Sequence, residues 1–164
     1  MYIDVSMELT AAESLGLRYE RAYTDHWDDV FRFLLAWTNN WSAAQDLAQE
    51  AYLRLWRSGD ALDWDRPVLP WLLVVARRLA TNRWESLRRR TFPRPIDPIS
   101  GEAVRVRWLD VRAALEKLSP LERSALLLTT IEGWSYAEVA LAAGTTEGAL
   151  RAAVSRARAK LEVA

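Results

Sequence analysis

Between Ala44 and Arg57 apolar side chains recur at Ala44, Leu47, Ala48, Ala51, Tyr52 and Leu55, the three-and-four spacing of a helix that lays one face against a core. Ser42, three residues ahead of Gln45, predicts a capping-box start for it. A second stripe of the same helix carries Asp46, Gln49, Glu50, Leu53 and Arg57, with Trp56 at its edge. Periodicity alone leaves two readings of that stripe open, a docking surface or a solvated face. Upstream, residues 8–23 alternate acids with Leu9, Ala12, Leu15, Leu17 and Tyr19, which predicts a helix with an untidy face. A sharper one follows from Trp27 through Val30, Phe31, Leu34, Leu35 and Thr38, with Asp28 and Asp29 in its first turn, and the turn Asn39, Asn40, Trp41 ends it. After Ser58-Gly59-Asp60 breaks the pattern, a further helix is predicted from Pro70 to Arg88, with Leu72, Val75, Ala76 and Leu79 inward.

The second half repeats the helical period with clearer punctuation. Val106 to Leu118 carries Leu109, Ala113, Leu115 and Leu118 on one face. Ser119-Pro120-Leu121-Glu122 combines a capping Ser, Pro at the first helical position and a Glu that closes the box. That helix runs through Leu126, Leu127 and Thr130 to Gly133, and Ser135-Tyr136-Ala137-Glu138 opens another that Gly144 ends. From Thr145 or Thr146 a last helix places Leu150, Val154, Ala157 and Leu161 on one face. Two helices joined by a short glycine turn fit a helix-turn-helix unit, whose second helix enters the DNA major groove. Between the halves, Pro93, Pro95, Pro98 and Gly101 predict an extended linker. The expected fold is all-α: two small helical domains over 1–90 and 105–164, of about four helices each, joined by a Pro-rich linker over 91–104.

Composition narrows the chemistry. In 164 residues, 51% hydrophobic and 27% charged, a core can form. Without Cys there is neither a disulfide framework nor a thiolate metal site, and the single His26, beside Asp25, Asp28 and Asp29, reads as a polar helix start rather than a metal cluster. No nucleophile–base pair or phosphate loop stands at workable spacing, so no catalytic residue, cofactor or metal is expected. No apolar run has the length of a membrane span and no signal-peptide layout opens the chain, which predicts a cytoplasmic protein without membrane insertion. Net charge is zero, yet its distribution is uneven. Acids dominate the first 31 residues, whereas Arg77, Arg78, Arg83, Arg88, Arg89, Arg90 and Arg94 face only Glu85. Arg151, Arg156, Arg158 and Lys160 form a smaller basic cluster near the end. Local patches of this kind attract phosphates while acids elsewhere cancel the sum.

The runs DLAQEAYLRLW, PWLLVVARRLATN, LSPLERSALLL and GWSYAEVA, in that order over about residues 20 to 161, resemble the extracytoplasmic-function sigma factors of bacterial RNA polymerase. The resemblance implies that Asp46, Gln49, Glu50, Leu53 and Trp56 dock on the coiled coil of the polymerase clamp. It implies minus-ten contacts from Trp64, Asp65 and Arg66 in the loop, which matches the segment that pockets a flipped base, and from Arg77, Arg78, Asn82 and Arg83 on the helix after it. Arginines, an amide and flat rings suit phosphates and an unstacked base. It further implies minus-thirty-five contacts from Thr146, Glu147, Arg151, Ser155 and Arg156, and partners comprising core polymerase (clamp and flap), promoter DNA and, as is common in the family, an anti-sigma factor. Arg78 stands where many members carry Asn, and Glu85 where many carry a basic residue. Where the family commonly has a Lys-Ser-Arg-like triplet, this chain has Arg151-Ala152-Ala153, which implies two fewer polar contacts. A helix-turn-helix regulator acting without polymerase would account for the second half alone, and a sigma-like interaction protein with weakened DNA binding for the two alanines.

Overall fold

The computed structural model describes residues 5–88 and 111–162; the predicted linker, and the start of the helix expected from Val106, lie outside them. All regular structure among the described residues is helical, in agreement with the expected class: α1 (Val5–Thr38), α2 (Trp41–Arg57), α3 (Val68–Arg88), α4 (residues 111–116), α5 (Pro120–Thr130), α6 (Tyr136–Ala143) and α7 (Glu147–Glu162), with a 3-10 turn at Gly59–Ala61.

The two helices expected before residue 39 are one. Between Tyr19 and Val30 there is no Pro or Gly, and Tyr19, Ala22, Trp27 and Val30 keep a three-to-five step along one face, so nothing interrupts the ladder. His26 therefore sits inside α1 rather than at a helix start. α1 ends where Asn39 turns left-handed at φ 52° and its N–H bonds the Leu35 carbonyl at 2.8 Å. The next residue begins α2: the Asn40 side chain accepts from the Ala43 N–H at 2.9 Å, so Asn40, not Ser42, is the cap. In the second half both predicted boxes are present, Ser119 with Glu122 and Ser135 with Glu138, and Gly144 closes α6 at φ 64°.

A single core runs through both halves. Val30, Phe33 and Leu34 of α1, Leu47, Tyr52 and Leu55 of α2 and Leu72 and Ala76 of α3 join Ala125 and Leu128 of α5, Val139 of α6 and Leu150 and Val154 of α7. α1 packs on α5, and α3 on α6. The Tyr52 hydroxyl donates to the Ala22 carbonyl at 3.1 Å, and burial, then Tyr19, Tyr23 and Asp29, push its phenol well above the usual range.

Arg123, 2% exposed, crosses between the halves. Its guanidinium donates to the carbonyls of Ala36 (2.8 Å) and Trp37 on one side and of Leu115 (3.1 Å) and Leu118 (3.4 Å) on the other. Ala36 and Trp37 are among the last carbonyls of α1, which lack intrahelical partners and carry the negative end of the dipole. Burial lowers the guanidinium to about 10, against the pull of Glu116, so it stays charged at neutral pH.

Candidate nucleic-acid and partner interface

The second stripe of α2 is presented outward. Asp46 and Gln49 are exposed and Glu50 half-buried, while Leu53 and Trp56 keep 47% and 52% of their surface in solvent although large and apolar. Their exposure follows from helical phase, since Leu47, Ala51 and Leu55 take the core side. Trp56 leans edge-on against Tyr19 of α1 at 5.1 Å, so its ring is braced as well as exposed. Glu50 pairs with Arg54 at 3.2 Å, and Asp46 with Arg83 of α3 at 3.7 Å. Two residues expected to serve different partners are thus neighbours, joined by an exposed pair worth little in stability.

The loop before α3 is organised around Gly59. The Trp64 indole N–H donates to the Gly59 carbonyl at 2.8 Å, and a Cβ at Gly59 would come within 2.9 Å of Leu15. Trp64 is therefore half-buried with its polar edge occupied, whereas Asp65 and Arg66 are exposed. Asp63 accepts from the Asp65 N–H at 3.2 Å and faces Arg66 at 3.7 Å. Leu62, Asp63, Arg66, Pro67, Val68, Pro70 and Trp71 line an open cleft here. Of these only Arg66 stands among the sequence-predicted site residues. Pro70 and Trp71 form the PW pair at the predicted start of this helix, the signal in the sequence that could have pointed to them.

On α3, Arg78 and Asn82, one turn apart, are exposed. Arg77 is not: it is half-buried, its guanidinium lies 2.8 Å from where a Cβ on Gly144 would stand, and its Nε is buried without a partner among the described residues. The structure thus brings Arg78, Asn82 and Arg83 to the surface and takes Arg77 into the contact with the turn of α6–α7.

α6, the Gly144 turn and α7 form the helix-turn-helix. The Thr146 hydroxyl accepts from the Ala149 N–H at 3.2 Å and starts α7. Glu147, Arg151 and Ser155 follow on an exposed row, with Arg156 beside it. Arg151 faces Glu147 at 3.8 Å, and its guanidinium carbon lies 4.2 Å from the centre of the Tyr136 ring, a cation–π contact. Ala152 is exposed, but Ala153 is fully buried in the core, so only one of the two alanine departures lies on the outer face.

Beneath α7, Glu122 of α5 receives Lys160 Nζ at 2.7 Å, the Ser119 N–H at 2.9 Å and Arg156 Nε at 3.3 Å. Burial would raise this carboxyl, but the bonds from Lys160, Ser119 and Arg156 prevail and bring it from 4.5 to about 2. A carboxylate held below its unfolded value stabilises the fold fully above that value and ceases to do so as pH falls through the folded one. Stability should therefore decline by about 1 to 3 kcal/mol between about pH 4.5 and 2, the half-exposed cations tempering the figure. Urea melts of the parent and Glu122→Gln across that interval check this, since the Gln variant should lose most of the slope.

An exposed aromatic–acidic helix face, an arginine-bearing helix behind an open cleft and a helix-turn-helix thus lie on one all-helical scaffold. Residues 22–90 match the model of the Sigma-70 region 2 family and residues 108–161 that of Sigma-70, region 4. The chain is 31% identical over 160 residues to a probable RNA polymerase sigma-C factor of Mycobacterium bovis, covering 93% of this chain and 86% of the relative. It is 29% identical over 135 residues to the ECF RNA polymerase sigma factor EcfG of Rhodopseudomonas palustris, covering 79% and 75%. Two other relatives are longer, and the chain spans 40% and 48% of their length. The fold is similar, at a TM-score of 0.67 and 22% identity, to the sigma factor RpoE of Bartonella quintana solved with the anti-sigma factor NepR, covering 88% of this chain and 94% of that one. The chain belongs to the extracytoplasmic-function (ECF) sigma factors. No helix among the described residues is long and apolar enough to cross a membrane.

Proposed function

We propose that the chain is an alternative sigma factor, a non-catalytic subunit that binds core RNA polymerase in the cytoplasm, directs it to selected promoters and helps melt them. The observation that carries this is the succession of region 2 and region 4 matches along one chain whose α2 presents Leu53 and Trp56 to solvent. In this reading Asp46, Gln49, Glu50, Leu53 and Trp56 dock on the clamp. Asp65, Arg66, Arg77, Arg78, Asn82 and Arg83 serve the minus-ten element, while Trp64 shapes the loop through its bond to Gly59. An unstacked base enters the cleft beside Trp71 and Arg66, where apolar walls give stacking and the guanidinium a phosphate contact. Arg151 reads the minus-thirty-five element with Thr146, Glu147, Ser155 and Arg156 around it. The Bartonella sigma factor of similar fold is solved with an anti-sigma factor, which supports an anti-sigma protein as a further partner.

Purified core polymerase on a library of promoter-like duplexes, with and without the chain, tests the proposal. Selective initiation that requires the chain is the expected result. Tight binding to core without initiation would favour the interaction-only alternative, and duplex binding without affinity for core would replace both by a simple regulator. The burial of Ala153 weakens the interaction-only alternative, because one of its two motivating residues faces the core.

A further inference from the structure

Among the described residues Glu122 is the one buried carboxylate, and its two oxygens have different partners. Oε2 accepts from the Ser119 N–H at 2.9 Å and from Lys160 Nζ at 2.7 Å, which ties the group to the start of α5 and to the last turn of α7. Oε1 accepts from Arg156 Nε at 3.3 Å and from no other group among the described residues. A guanidinium held by Nε keeps its terminal nitrogens for another acceptor, and those nitrogens form the fork that matches paired oxygens or a base edge. No described residue bonds the fork of Arg156, whose side chain is 56% exposed. Arg151 differs: its carboxylate partner, Glu147, is 53% exposed at 3.8 Å. A mobile exposed acid holds a long side chain poorly, whereas a carboxylate 5% exposed and fixed by three donors holds it in one place. Two cations also share the single charge of Glu122, so one positive charge remains over for an acceptor outside the chain.

We propose that Glu122 is a positioning residue for DNA reading: from beneath α7 it holds Arg156 by Nε, so that the terminal fork meets a paired acceptor of the duplex, the O6/N7 edge of a guanine or two oxygens of one phosphate. The inference rests on the proposed function in taking α7 as the helix that enters the groove. It adds that a buried residue of α5, outside the helix-turn-helix, sets how well that helix discriminates. A free cation gains from any phosphate it meets, but an oriented fork gains its two bonds only where the acceptor stands in register. Glu122 therefore acts on the preference of α7 for one sequence over another, through Arg156 and without touching DNA.

The full chain, without polymerase, selects a preferred duplex from a randomised pool, and each variant is then measured against that duplex and against one of arbitrary sequence. Glu122→Gln keeps the shape and loses the charge. It should lower the preference for the selected duplex about five- to tenfold, while affinity for the arbitrary one does not fall. Loss of folded protein would lower both affinities together. Glu162→Gln removes the same charge from the exposed end of α7 and should leave the preference unchanged. Arg156→Ala should lower the preference to a similar degree as Glu122→Gln, and the two combined should lower it no further. Arg156→Lys covers the case in which the Gln variant fails to fold: it keeps the charge but has one amine in place of the fork, so the preference should fall about fivefold. A preference unchanged in Glu122→Gln, or in Arg156→Lys, would overturn the inference. So would an effect of Glu122→Gln that persists at full size beside Arg156→Ala. In Arg156→Ala, discrimination lost at one guanine assigns the fork to a base edge, and a uniform loss across the selected sequence assigns it to phosphate; both support the positioning. A parent chain with no preferred duplex would remove the minus-thirty-five reading and this inference with it, whereas a preference that these substitutions leave intact would remove this inference alone.

Discussion

Replacing Leu53 and Trp56 together by Ala should weaken binding to core RNA polymerase by about thirtyfold or more, while the melting transition shifts only slightly. Both side chains are about half in solvent, so truncation removes little area from the fold's own interior. The main internal loss is the edge contact of Trp56 with Tyr19, worth about 1 kcal/mol. At an interface the balance differs, because a tryptophan and its apolar neighbour at the centre of a docked helix typically cost about 2 kcal/mol or more when removed. Fluorescence anisotropy of labelled chain against purified core measures the first quantity and thermal circular dichroism the second. An affinity unchanged by the double substitution would remove α2 from the polymerase contact. Leu55→Ala supplies the contrast: that side chain is fully buried, so it should lower stability by about 2 to 5 kcal/mol without a specific effect on docking.

The largest loss of stability is expected at Ala153. Building the family's triplet back into α7 by sequence would place Arg there, and the fold should not tolerate it. Ala153 has no exposed surface and packs in the shared core, so a guanidinium would have to displace close-packed neighbours and be buried without a carboxylate. Ala153→Arg should therefore cost more than about 4 kcal/mol and leave little folded C-terminal half. Ala152→Ser stands on the exposed face and should be neutral in stability, with a gain of about 1 kcal/mol in DNA affinity if the hydroxyl reaches a base or phosphate. Chemical denaturation of both variants, with duplex binding of the second, separates the two positions.

Those adjacent alanines show which features the sequence displayed. Capping at Ser119–Glu122 and Ser135–Glu138, the proline at the start of α5 and the left-handed turn at Gly144 all depend on chemistry within a few residues, and all were legible. The outward phase of Leu53 and Trp56 was legible for the same reason, since helical period alone sets it. Where two local signals compete, the reading slipped: Asn40 caps α2 although Ser42 matched the expected pattern, and the acids at Asp28 and Asp29 suggested a helix start inside what is a continuous α1. The remaining gaps are contacts between distant segments. Nothing near Arg123 announces that its partners are Ala36 and Trp37, and nothing near Arg77 announces Gly144, because no local period carries the register of one half on the other. Trp64 belongs with these: its place in the loop sequence does not show that its indole N–H is bonded to the Gly59 carbonyl.

Glu122 reaches beyond the stability it lends. Affinity for DNA in the absence of sequence preference grows with the number of counterions a protein frees from the phosphates, and that number follows the cations still unneutralised. On α7, Arg156 and Lys160 already share one buried carboxylate, and Arg151 faces Glu147. In the function proposed above, α7 would therefore meet the duplex with much of its charge already paired, and its binding to arbitrary sequence is expected to be weak and only shallowly dependent on salt.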